Sequence, residues 1–88
     1  MSFYVYLIVS RKNLKLKTYV GYTHSLKKRL ALHNSGRGAK STKGRIWKIV
    51  YFKKYNSKKK AMSQEYLLKK DRKKRKTIIT KFLSTNKV

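Results

Sequence analysis

The sequence predicts an α+β domain with the element order β-β-α-β-α-α, and three features of its patterning carry that reading. Segments around residues 3–9, 18–22 and 46–55 are dense in aromatic and β-branched side chains, which suit a pleated surface. Between and after them, apolar residues recur at the three- and four-residue spacing of a helix with one covered face. Three of the four glycines fall within residues 36–45, where they mark one long connection. Eighty-eight residues are expected to make one small domain, residues 1–88, and no repeat or linker is read within them.

Phe3 to Val9 (FYVYLIV) reads as a buried strand, ended by charge and Asn13 in an expected loop from Arg11 to Lys17. Thr18 to Tyr22 (TYVGY) reads as the return arm of a hairpin. Gly21 inside it suggests a bulge, or a spot where another group comes close. A helix follows from Ser25 to about Ser35, with Thr23 or Ser25 as N-cap, Leu26 and Leu30 as its buried stripe, and Gly36 as its stop. Arg29 and His33 are four apart and so share a face. Gly36 to Arg45 (GRGAKSTKGR) is expected to be a mobile, positively charged loop.

Ile46 to Tyr55 reads as the third strand. Alternation sends Ile46, Lys48, Val50 and Phe52 one way and Trp47, Ile49, Tyr51 and Lys53 the other. Apolar residues on both sides predict a central position in the sheet. A helix from Ser57 to Lys70 places Ala61, Met62, Glu65 and Leu68 on one arc, at about 100° per residue. Asp71 is then the cap of a last helix whose Ile78, Ile79, Phe82 and Leu83 repeat at helical spacing.

The charge narrows the partners. Lys and Arg number 26 against two acids, a formal net charge of +24, and a field of that size attracts polyanions. Nucleic acid is the expected partner, bound with steep salt dependence. Twenty of the 26 cations are Lys, a point charge for phosphate, which favours backbone contact over base reading. Arg37, Lys40, Lys43 and Arg45 of the glycine-rich loop are the expected backbone contacts, and the lysine runs at 58–60 and 73–76 fit a phosphate-tracking surface or a plain solvated face. The absence of cysteine excludes disulfides and thiolate zinc sites. No apolar run approaches a membrane span, and residues 1–10 lack signal-peptide features, so a cytoplasmic setting is expected, with nucleus or organelle compatible.

One acid stands apart. Glu65 falls in the middle of the inward arc of its helix, where a carboxylate is costly to desolvate unless a cation meets it. Either a neighbouring Lys or Arg pairs with it, or it holds a metal ion that handles phosphate. The other residues with chemical capacity are Tyr4, Tyr6, Tyr19, Arg29 and His33. Singly, each has a structural explanation, since tyrosines pack readily in strands and a lone helical histidine is usually not a catalyst.

Their order is more telling. Tyr4-Val5-Tyr6, then Tyr19-Val20-Gly21, then Arg29, His33-Asn34, a glycine-rich loop before an aromatic strand, and Glu65 together resemble the GIY-YIG nuclease family. Within it the chain is similar to the small single-domain branch related to Slx-type structure-selective endonucleases. The resemblance covers about Phe3 to Arg72. Tyr4 stands where the first motif has glycine, and the late asparagine of larger members has no clear counterpart, Asn86 lying near the end.

The resemblance implies a three-stranded antiparallel sheet flanked by helices and divalent-metal-dependent hydrolysis of phosphodiester bonds. It implies one Mg²⁺ or Mn²⁺ per domain on Glu65, since a single carboxylate suits one such ion and not a two-metal clamp. Arg29 is then expected to stabilise phosphate charge. Tyr6 or Tyr19 is expected to accept a proton from water, if nearby cations lower the phenol below about 10, with His33 as relay or phosphate holder. DNA is favoured over RNA as substrate. The competing expectation is a non-catalytic, RNA- or ribosome-associated binding protein on the same fold.

Overall fold

Phe3–Lys12 forms β1, the middle strand of a three-stranded antiparallel sheet ordered β2-β1-β3. This is seen in a computed structural model that describes residues 2–12 and 15–85. β2 is Lys15–Thr23 and β3 is Lys48–Tyr55. Helix α1 (Leu26–Asn34) follows β2, and a short 3₁₀ turn at Lys40–Thr42 precedes β3. Helices α2 (Lys58–Lys70) and α3 (Arg72–Thr85) close the order, which matches β-β-α-β-α-α.

β1 alternates between two covered faces, as a strand's two-residue period requires. Val5, Leu7 and Val9 point to one side, where Val20 and the helical Ala61, Leu68 and Ile79 complete an apolar core. Tyr6 and Ile8 point to the other, where Trp47, Leu26, Leu30 and Tyr19 pack on them. Ser25 caps α1 by accepting the Lys28 N–H, and Ser57 caps α2 by accepting the Lys60 N–H at 3.0 Å. Asp71 caps α3, its Oδ1 accepting the Lys74 N–H at 3.0 Å. Gly36, at φ 81°, takes the left-handed conformation that stops α1.

Four expectations about the strands and α2 need correction. The charged segment expected as a loop is strand, with Arg11 opposite Leu16 and Lys12 opposite Lys15, so the hairpin runs on into solvent; Asn13 lies outside the described residues, as does Asn86. β3 is an edge strand and not the centre. Its two sides are apolar because helices cover one and α1 with Trp47 covers the other. A β-bulge at Val50, where Leu7 faces Tyr51 but Ile8 faces Ile49, breaks the simple alternation. Tyr51 therefore joins Val50 on the helix-covered side while Ile49 stays with Trp47. Met62 is 47% exposed, outside the core that Ala61 and Leu68 enter.

The glycine-rich segment is anchored, contrary to the expectation of mobility. The Asn34 amide clips Trp47 from both sides, accepting its N–H at 2.6 Å and donating to its carbonyl at 3.3 Å. The Trp47 indole N–H donates to the Thr42 carbonyl at 2.9 Å. At the far end Arg45 donates to the carbonyls of Ser10 and Lys15, and Lys12 to that of Gly44, fastening the segment to the hairpin. Among the described residues, no helix is long and apolar enough to cross a membrane.

Candidate active site

Tyr6 and His33 meet beneath α1, both nearly closed to solvent, at 2% and 0% exposure. Polar groups so buried persist only when hydrogen-bonded, and these are bonded in a chain. The Tyr6 hydroxyl lies 2.8 Å from His33 Nε2, and His33 Nδ1 lies 2.9 Å from the Thr42 hydroxyl. Thr42 Oγ1 donates its one proton to the Ala39 carbonyl at 3.0 Å and accepts the Ala39 N–H at 3.1 Å. With that proton committed, Nδ1 of His33 must be the donor to Thr42, which leaves Nε2 as the acceptor of the Tyr6 O–H.

The electrostatics agree. Burial, and then the charge of Arg29, push the His33 pKa below its ordinary value, so the ring is a neutral acceptor. Burial also raises the Tyr6 pKa above 10.0. The Arg29 hydrogen bond and charge oppose this, while Tyr19 and Glu65 add to the rise. The expectation that cations ready a tyrosine by lowering its pKa is thus overturned at Tyr6: desolvation outweighs the guanidinium. Arg29 in turn is held more firmly charged, chiefly by its hydrogen bond with Tyr6.

Two glycines make the chain of bonds possible. A Cβ at Gly21 would run into the Tyr6 ring and hydroxyl, and one at Gly38 into the His33 ring. Gly21 is needed because a ring lies against its backbone, which resolves the close approach inferred from the sequence.

Tyr19, half-buried, stands beside them, its ring centroid 4.9 Å from that of His33 and 6.4 Å from that of Tyr6. Arg29 reaches over from the same face of α1 as His33 and donates to the Gly38 carbonyl at 3.2 Å. The structure therefore brings Tyr6, Tyr19, Arg29 and His33 into one cluster. Tyr4 sits aside, its ring edge-on to Phe52 at 6.2 Å. Arg37, Lys40 and Lys43 are exposed on the glycine-rich segment, whereas Arg45 is engaged with the hairpin carbonyls. Thr42, Gly38 and the contact of Asn34 with Trp47 escaped sequence reading; the polar run between two glycines and the His33-Asn34 pair were their signals.

Glu65 stands on α2, and its charge is felt at Tyr6. Its side chain is 19% exposed and lies 3.8 Å from the Nζ of Lys69 one turn on, so the ion-pair reading holds in part. At that length, with a half-exposed lysine, the pair is weak and easily exchanged. Among the described residues, no three His, Cys, Asp or Glu side chains group as a metal cluster. A sheltered carboxylate with one loose partner suits a single oxygen-loving cation completed by water and phosphate, and not a pair of ions.

Comparison with known proteins follows the same lines. The family model described as the GIY-YIG catalytic domain matches residues 2–78. A UPF0213 protein of Streptococcus pneumoniae is 42% identical over 84 residues, covering 94% of this chain and 79% of that one. A UPF0213 protein of Clostridium perfringens is 43% identical over 68 residues, covering 76% and 70%. The solution NMR structure of a UPF0213 protein from Bacillus halodurans is 36% identical, covering 91% of this chain and 84% of that one, with a TM-score of 0.49.

Proposed function

The chain belongs to the GIY-YIG family, in its UPF0213 branch, and from that premise we propose that it is a cytoplasmic, divalent-metal-dependent endonuclease acting on DNA. The observation that carries this reading is the hydrogen bond from the Tyr6 hydroxyl to a neutral His33, with Arg29 and Tyr19 beside it. A phenol bonded to an unprotonated imidazole is a route for a proton. Attack by water on phosphorus requires the water to lose a proton as it bonds. Tyr6 takes that proton while handing its own to Nε2 of His33, and no free phenolate is needed, which fits a raised pKa.

Arg29 steadies the negative charge that crosses the Tyr6 oxygen and directs its remaining N–H donors to the scissile phosphate. Tyr19, half-buried beside the pair, holds a phosphate oxygen. Glu65 holds one Mg²⁺ or Mn²⁺, which when bound supplies charge neutralisation at the phosphate and the leaving oxygen. Arg37, Lys40 and Lys43 track the backbone, whose shape and not its sequence they recognise. One such site makes one nick per encounter.

The test is nicking of supercoiled plasmid and of a branched oligonucleotide in Mg²⁺, Mn²⁺ and EDTA, with Glu65→Gln alongside. The expected result is cleavage that needs the ion, falls at least a hundredfold in the variant and leaves binding intact. The charge of +24 favours one other reading, a binding protein without catalysis. Equal, salt-sensitive binding in Mg²⁺ and EDTA, with no cleavage by either protein, would establish that reading instead.

A further inference from the structure

On the side of the sheet away from Tyr6 and His33, a cavity of about 540 Å³ opens between β3 and the junction of α2 and α3. Its floor is apolar, made by Val5 and Leu68, which are only 2% and 5% exposed. Two tyrosines, Tyr51 and Tyr55, form one wall from the edge strand. Opposite them are two hydrogen-bonding groups with capacity to spare. The Gln64 amide has no side-chain partner among the described residues, and Asp71 uses one carboxylate oxygen, Oδ1, on the Lys74 N–H. A lysine ammonium lies over one face of each ring, leaving the other face for a ligand: Lys74 Nζ is 5.9 Å from the Tyr51 centroid and Lys53 Nζ 5.8 Å from that of Tyr55.

These features select a ligand. A hydrocarbon would offer no partner to the half-buried Gln64 amide or to the exposed Asp71 carboxylate while displacing the water each holds. A bare phosphate would meet an apolar floor and a carboxylate. A planar heterocycle with both donors and acceptors on its edge satisfies all the walls, stacking on tyrosine and bonding to the amide and the carboxylate. A phosphate on either side of that heterocycle meets Lys74 or Lys53. The volume lies within the range of roughly 300–1,000 Å³ usual for small-molecule sites.

We infer that this cavity holds one unpaired nucleobase of a single-stranded nucleic acid segment, with the strand continuing past Lys74 on one side and Lys53 on the other. Paired bases are stacked inside a duplex and cannot enter, so the site separates single strand from duplex. Stacking of bases on aromatic side chains beside a cationic track is the general mode of such binding. Val5 and Tyr6 are consecutive in β1 and face opposite ways, so the base site and the Tyr6 cluster lie back to back across one strand. This inference goes beyond the nuclease reading and stands without it.

The experiment is titration of the whole chain into a single-stranded oligonucleotide carrying one 2-aminopurine, with a blunt duplex of equal length alongside, all in EDTA so that no cleavage enters. Wild-type protein is expected to quench the 2-aminopurine emission by stacking. Tyr51→Leu should remove most of that quench and weaken single-strand binding about tenfold, with duplex affinity unchanged. Should Tyr51→Leu melt early, Gln64→Ala and Lys74→Gln replace it, each expected to weaken single-strand binding alone, by about threefold. Unaltered quenching in these variants, or an equal loss on duplex, overturns the site. Displacement of the strand by equimolar free dAMP overturns the strand assignment and puts a mononucleotide in the cavity.

Discussion

The two faces of β1 bury equally well and do opposite things. On one, Val5, Leu7 and Val9 meet aliphatic side chains from β2, α2 and α3, and nothing there needs a particular direction. On the other, Tyr6 is almost as buried, yet its hydroxyl, His33, Thr42 and the Ala39 backbone form one directional chain. Hydrophobic burial is indifferent to orientation, whereas each buried polar group must find its partner or bear the full desolvation cost. The apolar face therefore sets how stable the protein is. The polar face sets which atoms meet, and it needs two glycines and an anchored loop to do so. The same contrast says how each face should respond to change.

The largest expected effect lies on the apolar face. Leu7 is 0% exposed, and Leu7→Ala removes its contacts and leaves a cavity, which should cost about 3 kcal/mol of unfolding free energy. Urea denaturation measures this. If the faces are separable, cleavage by the folded fraction at low temperature should be close to wild type. A large loss of activity in fully folded protein would break the comparison.

Gly21→Ala is the counterpart on the polar face. The added Cβ meets the Tyr6 ring, which cannot swing away because its hydroxyl is bonded to His33 and its ring is buried. Overpacking should cost about 2 kcal/mol. Here stability and cleavage should fall together, since the atom displaced is the proposed proton carrier. Retained cleavage would separate Tyr6 from the reaction.

Much of this contrast was legible in the sequence, and what was not has a physical reason. The element order, a cap for α1 at Thr23 or Ser25 (the structure uses Ser25), the start of α2 at Ser57, Asp71 as the cap of α3 and the shared face of Arg29 and His33 all follow from local rules of period and capping. The edge position of β3 did not. Apolar residues on both sides of a strand report that both sides are covered, and say nothing of how many neighbours it bonds. The bulge at Val50 depends on pairing with a strand some 40 residues away, which no local pattern encodes. The resemblance singled out Tyr6, Tyr19, Arg29, His33 and Glu65, but the sign of the Tyr6 shift required knowing how deeply the ring is buried. Thr42 is invisible for the same reason: a threonine in a basic loop has no mark until the loop folds under His33.

pH sharpens the contrast without a mutation. His33 has its folded pKa depressed, so the unfolded chain takes up a proton at the ordinary value near 6.5 while the folded ring resists it. Below that value the unfolded state binds more protons, and stability falls as pH drops toward the lower folded value. Melting temperature should therefore decline from pH 7 to 5, and His33→Gln should flatten the decline. Cleavage should decline in the same direction, because a protonated His33 cannot accept from Tyr6. A flat stability profile in wild type would mean that His33 is not the neutral acceptor of the chain.

The smallest effect is at the rim and touches neither buried face. Lys40 and Lys43 are exposed on the segment whose other residues lock His33, so their charges can be removed without disturbing the lock. Each phosphate contact releases condensed counterions and contributes close to one unit to the slope of log affinity against log salt. Changing both to Gln should flatten that slope by roughly two units, weaken binding about equally across sequences and leave the melting temperature unchanged. The contrast with Gly21→Ala is then complete within one stretch of structure: buried contacts govern chemistry, exposed charges govern encounter. An unchanged salt slope would take this loop out of the nucleic-acid interface and pass the backbone contacts to the lysines of α2 and α3.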